Sequence, residues 1–144
     1  MRQLFNSMLV GACLTGHKEI VLSMIENGAN DWNDGLIKAC YGGYKDLALL
    51  IIEKGANAWK WGLTNACSGG HKDLALLMIE KGANINDCSI ELGEEDIEIL
   101  IKIGIKNFGK YKKTIYRCKE KINRTKLILE PHLIEDVINI CCKY

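Results

Sequence analysis

The sequence lacks any apolar run approaching the ~18 residues that a membrane-spanning helix requires, so no helical membrane span is expected. Met1-Arg-Gln-Leu-Phe5 opens with one basic residue, but Asn6, Ser7, Gly11 and the polar run from Thr15 interrupt the apolar stretch a secretory leader needs, and none is expected. Catalytic signatures are scarce too. No phosphate-cradling Gly-x-x-x-x-Gly-Lys loop, no His-Glu-x-x-His site and no Ser-His-Asp order is expected. None of the three histidines, His17, His71 and His132, has a second group at a spacing that would pair with it for acid–base work. Cys-x-x-Cys is missing, which removes a common zinc spacing. The expectation is a chain that is no enzyme and takes no cofactor and no metal.

Net charge is also nearly absent, at +1 for 144 residues, and so points to no class of partner when taken over the whole chain. The distribution is uneven. Residues 1–106 carry ten basic against fourteen acidic side chains, and residues 107–144 carry nine against four. The two parts therefore meet solvent differently. A chain of 144 residues that is 48% apolar is long enough for one domain with a sizeable core.

What is present is repetition. Gly43-Tyr-Lys-Asp-Leu-Ala-Leu-Leu-Ile-Ile-Glu-Lys-Gly-Ala-Asn57 returns almost unchanged as Gly70-His-Lys-Asp-Leu-Ala-Leu-Leu-Met-Ile-Glu-Lys-Gly-Ala-Asn84. A looser copy, Gly16-His-Lys-Glu-Ile-Val-Leu-Ser-Met-Ile-Glu-Asn-Gly-Ala-Asn30, precedes them, and the three stand 27 residues apart. A fixed period of that size marks stacked supersecondary units that bury a continuous ribbon of core.

Within the second copy, Leu36, Ala39 and Cys40 fall at i, i+3 and i+4 and predict a short first helix with one apolar face. Asp31 or Asn33 is the expected cap, and Gly42-Gly43 the exit. A second helix is predicted over about residues 44–54. It is apolar nearly all round (Leu47, Leu49, Leu50, Ile51, Ile52) and so is expected to be buried between neighbours. Gly55 stops it, with Gly28 and Gly82 in the same role, because glycine reaches the left-handed conformation cheaply.

Of seven cysteines, Cys13, Cys40 and Cys67 share one register position. Packed helices stand roughly 8–10 Å apart, beyond the ~7 Å between Cα atoms that a disulfide tolerates. These thiols are expected to be free, small, buried hydrophobes, which favours an intracellular, cytoplasmic setting.

A fourth, decayed unit covers residues 85–107, where Glu94-Glu95-Asp96 suits a helix N-terminus. Beyond it the pattern changes. Tyr111, Ile115, Cys118 and Ile122 predict an amphipathic helix with a basic outer face, and Pro131 suits the first turn of a final helix striped by Leu133, Ile134, Val137, Ile138 and Cys141. Residues 108–144 are read as a C-terminal helical cap.

The repeated stretches resemble the ankyrin repeat, whose second helix reads Gly-His-x-Glu/Asp-Val-Val-x-x-Leu-Leu-x-x-Gly-Ala-Asp/Asn. The first helix is matched by Leu36-Ile-Lys-Ala-Cys-Tyr-Gly-Gly43 and Leu63-Thr-Asn-Ala-Cys-Ser-Gly-Gly70. The resemblance covers about residues 4–107, as units 4–30, 31–57, 58–84 and a degenerate 85–107. The family repeat has 33 residues; six are missing here, where the family builds a β-hairpin finger, and Asp34-Gly-Leu-Ile37 replaces its Thr-Pro-Leu-His. The resemblance thus implies an all-α, ankyrin-like helix-pair solenoid with reduced fingers and C-terminal capping helices. In style the shortened, isoleucine- and lysine-rich repeats look like those of large DNA viruses and of some intracellular bacteria; a viral origin would imply the host cytoplasm.

The family binds partner proteins through its fingers and the concave face of its first helices. Carried over, that face holds Leu14, Thr15, Lys38, Tyr41, Asn65 and Ser68, which vary between copies while their neighbours stay fixed. Trp32 and Trp59 share a register with Phe5, and read either as repeat packing or as a row of anchors. Trp61 has Ser7 and Asp34 as counterparts, so packing does not demand an aromatic there, and a contact role is favoured.

The expected function is protein–protein binding without catalysis. A second reading gives nucleic acid or acidic protein to the basic run Lys110, Lys112, Lys113, Arg117, Lys119, Lys121, Arg124 and Lys126, with a solvated helix face as the plain alternative. A third notes that the final helix, with Leu129, Pro131, Ile134, Val137 and Ile138, resembles the F-box segments that recruit ubiquitin ligases; a simple cap explains it equally. The apolar first turn, with Leu4, Phe5, Met8 and Leu9, leaves self-association open.

Overall fold

A computed structural model of the chain describes residues 1–90, 92–102 and 113. The chain divides into two compact units, Met1–Ala83 and Asn84–Tyr144.

The first unit contains three helix pairs: α1 (Arg2–Thr15) with α2 (Lys18–Glu26), α3 (Trp32–Gly42) with α4 (Lys45–Glu53), and α5 (Trp59–Ser68) with α6 (Lys72–Glu80). The pairs stack in chain order, α1 against α3 and α3 against α5. In the second unit a single 3-10 turn, Ile85–Asp87, precedes α7 (Glu94–Lys102). Among the described residues there is no strand. The stacked, all-helical repeat read from the 27-residue period is therefore the observed architecture of residues 1–83.

The period fixes the core. Leu9, Leu36 and Leu63, Ala12, Ala39 and Ala66, and Cys13, Cys40 and Cys67 are buried at equivalent positions of α1, α3 and α5. Val21, Ala48 and Ala75, with Met24, Ile51 and Met78, line the second helices. Ala29, Ala56 and Ala83 close each unit. The four described cysteines are buried, Cys13 and Cys40 as free thiols, and no described polar side chain is buried. Burying apolar area of this kind contributes about 25 cal/mol per Å², so the stack is stabilised by one long apolar seam.

Glycine sets how closely the first helices approach. A Cβ on Gly35 would touch Cys13 Sγ at 3.5 Å, and one on Gly42 would stand 2.8 Å from the Leu14 carbonyl oxygen. Gly69 faces the Tyr41 carbonyl in the same manner, with no room for a Cβ. Its φ of −80° is open to any residue, so space and not conformation selects glycine there.

A second device was not foreseen. Asn33 Oδ1 accepts from the backbone N–H of Asn57 at 2.9 Å and of Ala58 at 3.1 Å. Asn6 Oδ1 likewise accepts from Asn30 N–H at 2.8 Å. Each asparagine clasps the start of a repeat to its own end, and supplies acceptors to a link that forms no sheet.

The expected capping is corrected by this geometry. Asp31 occupies the N-cap position of α3 but its side chain makes no cap hydrogen bond, and Asn33 lies inside the helix and turns toward the link instead. Burial of α4 is also less complete than its composition implies. Leu47, Ala48 and Ile51 are buried and Leu50 and Ile52 half-buried, while Leu49, on the opposite side of the wheel, is exposed. The glycine stops are as expected: Gly28, Gly55 and Gly82 have φ of 89°, 112° and 119°. In the second unit Glu94, Glu95 and Asp96 form the acidic first turn of α7, and Asp96 Oδ2 accepts from Gly93 N–H at 2.8 Å.

Two outcomes follow. Gly69→Ala should cost the ~1–3 kcal/mol of stability typical of overpacking, with a lower unfolding midpoint; denaturant titration of both proteins checks it. Burial pushes the Cys13 thiol up to about 11 and the Cys40 thiol up to about 12, from an ordinary value of 9.0. The folded chain thus keeps protons that the unfolded chain releases above about pH 9. Stability should hold below that pH and decline as pH rises toward about 11 to 12, and Cys40→Ala should flatten the decline.

Candidate protein-binding face

A helix turns 100° per residue, so residues seven and four apart share a side. On the first helices the outward side is Ser7, Gly11 and Leu14 on α1, Asp34, Lys38 and Tyr41 on α3, and Trp61, Asn65 and Ser68 on α5. Equivalent positions stand in rows because α1, α3 and α5 stack in one register. The buried positions of these helices repeat leucine, alanine and cysteine without change, whereas no outward row repeats a residue.

The row residues differ in exposure. Trp61 is 58% exposed and Tyr41 49%. Ser68 is exposed, and Lys38 and Asn65 are half-buried. Lys60 Nζ lies 5.8 Å from the centre of the Trp61 ring, a cation–π distance worth about 0.5–1 kcal/mol at a wet site. Asn65 Nδ2 donates to the Trp61 carbonyl at 2.9 Å, and Ser68 Oγ donates to the Thr64 carbonyl at 3.0 Å. Ser68 thereby spends its one donor on its own helix and keeps acceptor capacity, while Asn65 keeps its carbonyl oxygen and a second amide hydrogen.

Trp32 and Trp59 are placed differently. They are the first residues of α3 and α5 and are half-buried, as is Phe5. The structure thus separates the tryptophans: Trp32 and Trp59 share one partly covered register, and Trp61 projects from the outward side.

The histidines are engaged in turns. Thr15 Oγ1 gives its hydrogen to the Gly11 carbonyl at 3.0 Å, so His17 Nδ1, 2.7 Å from the same oxygen, must be the donor there. His71 Nε2 donates to the Tyr41 carbonyl at 3.0 Å. Its ring fills the space beside Gly43, as the Tyr44 ring fills that beside Gly42. Below this turn an open depression of ≈ 300 Å³ is lined by Gly43, Lys45, His71, Lys72, Asp73 and Leu74. Its charges are of both signs. Among the described residues no three His, Cys, Asp or Glu side chains are grouped to hold a metal ion.

Of the basic run only Lys113 is described, and it is exposed. Lys110, Lys112, Arg117, Lys119, Lys121, Arg124 and Lys126 lie outside the described residues, as does the whole final-helix stretch at 129–138. Residues 104–110 do have Gly-x-x-x-x-Gly-Lys spacing, but Tyr111 stands where a phosphate loop needs Ser or Thr, and they too lie outside the described residues.

Sequence reasoning missed Ser7, Gly11 and Asp34 as members of the outward side. The signal was available, since they are the register partners of Trp61 and Lys38.

No model of a known protein family matches the chain, and no curated protein matches it.

The exposures separate two tryptophan variants. Trp61→Ala should shift stability by no more than about 0.5 kcal/mol, as surface changes do. Trp59→Ala, which loses partly covered ring area, should cost more. Urea midpoints of the two proteins check this.

Proposed function

We propose that the chain is a non-catalytic protein-binding module, an ankyrin-like solenoid that takes a partner protein on the outward side of α3 and α5. The observation that carries this reading is the exposed aromatic pair Tyr41 and Trp61, at register positions where the other repeats hold Leu, Ser or Asp. Nothing in the packing of the repeats calls for an aromatic at either place. Tyrosine and tryptophan are the side chains that most often anchor an interface, since each covers a large area with little conformational freedom to lose. Around them Asp34, Lys38, Asn65 and Ser68 supply charge and acceptors for orientation.

The mechanism is passive. The stack holds the face rigid, so little ordering is needed on binding, and affinity comes from covering Trp61 and Tyr41. The absence of any strand in the described links supports the ankyrin-like reading with shortened fingers, and leaves binding to the helices. The reading extends to a cytoplasmic setting, that of the host for a viral protein. Cys13 and Cys40 are free thiols, the state that a reducing compartment maintains. No described helix is long and apolar enough to cross a membrane.

The test is affinity capture from cell extract on the full chain, with Tyr41→Ala/Trp61→Ala alongside. A specific protein retained by the native chain should weaken by about 2 kcal/mol or more in the double variant, the loss expected of interface anchors. Equal retention by both would remove this face. Capture of nucleic acid alone, with steep salt dependence, would transfer the function to the basic run at 110–126.

A further inference from the structure

Along α1, Met1, Leu4, Met8, Gly11 and Thr15 recur at steps of three, four, three and four, the seam spacing of paired helices. They fall within about 80° of arc. All five are exposed, and Met8 is 43% exposed. On the neighbouring α2, Ile20 is 42% exposed, whereas its equivalents Leu47 and Leu74 are 2% and 1% exposed. The end of the first repeat thus presents the same kind of apolar face that the inner repeats bury by stacking.

A further repeat of this kind does not fit that face. The inner repeats are smooth where they meet the preceding first helix, with Gly35 and Gly42 on α3, and Gly62 within α5 and Gly69 just after it, in the same register. A Cβ at Gly42 would press on the Leu14 carbonyl oxygen at 2.8 Å, and one at Gly35 would just reach Cys13 Sγ at 3.5 Å, which leaves no room for a longer side chain. In the first repeat those two positions hold Met8 and Thr15. A helix stacked there in the usual parallel register would collide with both.

The one glycine on the seam is displaced to Gly11. It lies inside a helix, where glycine is the weakest ordinary residue, and a Cβ there would meet nothing within 4 Å. Nothing among the described residues accounts for it. It leaves a shallow hole one turn from a methionine knob.

We infer that the chain forms a two-fold homodimer, in which α1 packs antiparallel on α1 of a second copy and Met8 of each seats over Gly11 of the other. An antiparallel pair centred between Leu9 and Val10 sets Met8 opposite Gly11 and Leu4 opposite Thr15, and the two-fold axis repeats both contacts. That arrangement is closed and self-complementary. Glycine lets the two backbones approach, and methionine adapts its shape to the hole. The seam carries no charge between Arg2 and Lys18, so none is desolvated along it. One helix face flanked by Ile20 covers an area at the low end of specific interfaces, below about 1,200 Å², so the dimer is reversible and forms at high concentration.

Sedimentation equilibrium of the full chain over a wide concentration range tests this, with Met8→Glu, Gly11→Leu and Gly11→Ala compared. The native chain should pass from monomer to dimer, and Met8→Glu and Gly11→Leu should each weaken association at least tenfold while keeping the native helical circular dichroism. Gly11→Ala separates association from folding, because it should raise the thermal midpoint of the dilute monomer and still weaken the dimer. Tyr41→Ala/Trp61→Ala should dimerise as the native chain does. A native chain that stays monomeric throughout overturns the inference and gives the face to another occupant. So does a dimer untouched by all three α1 variants, or an open-ended polymer, which is head-to-tail stacking.

Discussion

The close approach of consecutive first helices is the constraint on which residues 1–83 depend. Where α3 meets α1, and where the turn after α5 meets α3, a backbone carbonyl of one repeat stands against a glycine of the next. A side chain at Gly42 or Gly69 would part the helices. The buried leucines, alanines and cysteines behind that contact would then lose their partners together. Small residues recur through the core for the same reason: alanine and cysteine at 12 and 13, 39 and 40, and 66 and 67 keep the helices near. The apolar contribution is large in total, but its geometry is dictated by residues that contribute almost no area.

That constraint also separates the two sides of each first helix. The stacking side is held to a narrow choice of residues, and the outward side is free to vary. A repeat built in this way can change what it presents without changing how it folds. Tyr41 and Trp61 differ from their equivalents with no adjustment in the core beneath them. The inner turns add a further restriction. His71 reaches the Tyr41 carbonyl, and its ring occupies the space that Gly43 leaves.

Much of this was legible in the sequence because the period is strict. Helix bounds in α4 fell within one residue of those read from the apolar pattern, since Tyr44 and Gly55 flank it closely. The equivalence of Cys13, Cys40 and Cys67 identified a buried position without reference to neighbours. What was not legible depends on contacts between residues 24 apart. Asn33 looks like a cap because its side chain suits one, and only the folded pair shows the Asn57 and Ala58 amides within its reach. Leu49 looks buried because apolarity was counted around the whole wheel, yet α4 is covered over only part of it. On the outward side, Trp61 was separable from Trp32 and Trp59 by register alone, but the degree of its exposure was not.

The asparagine clasp has a consequence for how such a chain can change over generations. Asn6 and Asn33 each tie a repeat to its own last residues, so the fastener travels with the unit it fastens. A duplicated or deleted 27-residue block brings or removes its own internal clasp, and disturbs only the bonds that cross to a neighbour, Asn33 to the Ala58 amide and His71 to the Tyr41 carbonyl. The third copy has Lys60 at this position, which offers no acceptor. Its Asn84 turns instead to accept from the Asn86 amide and starts a 3-10 turn. The modular inheritance of the fold thus stops at the copy that lost its clasp, and the chain's periodic grammar changes there.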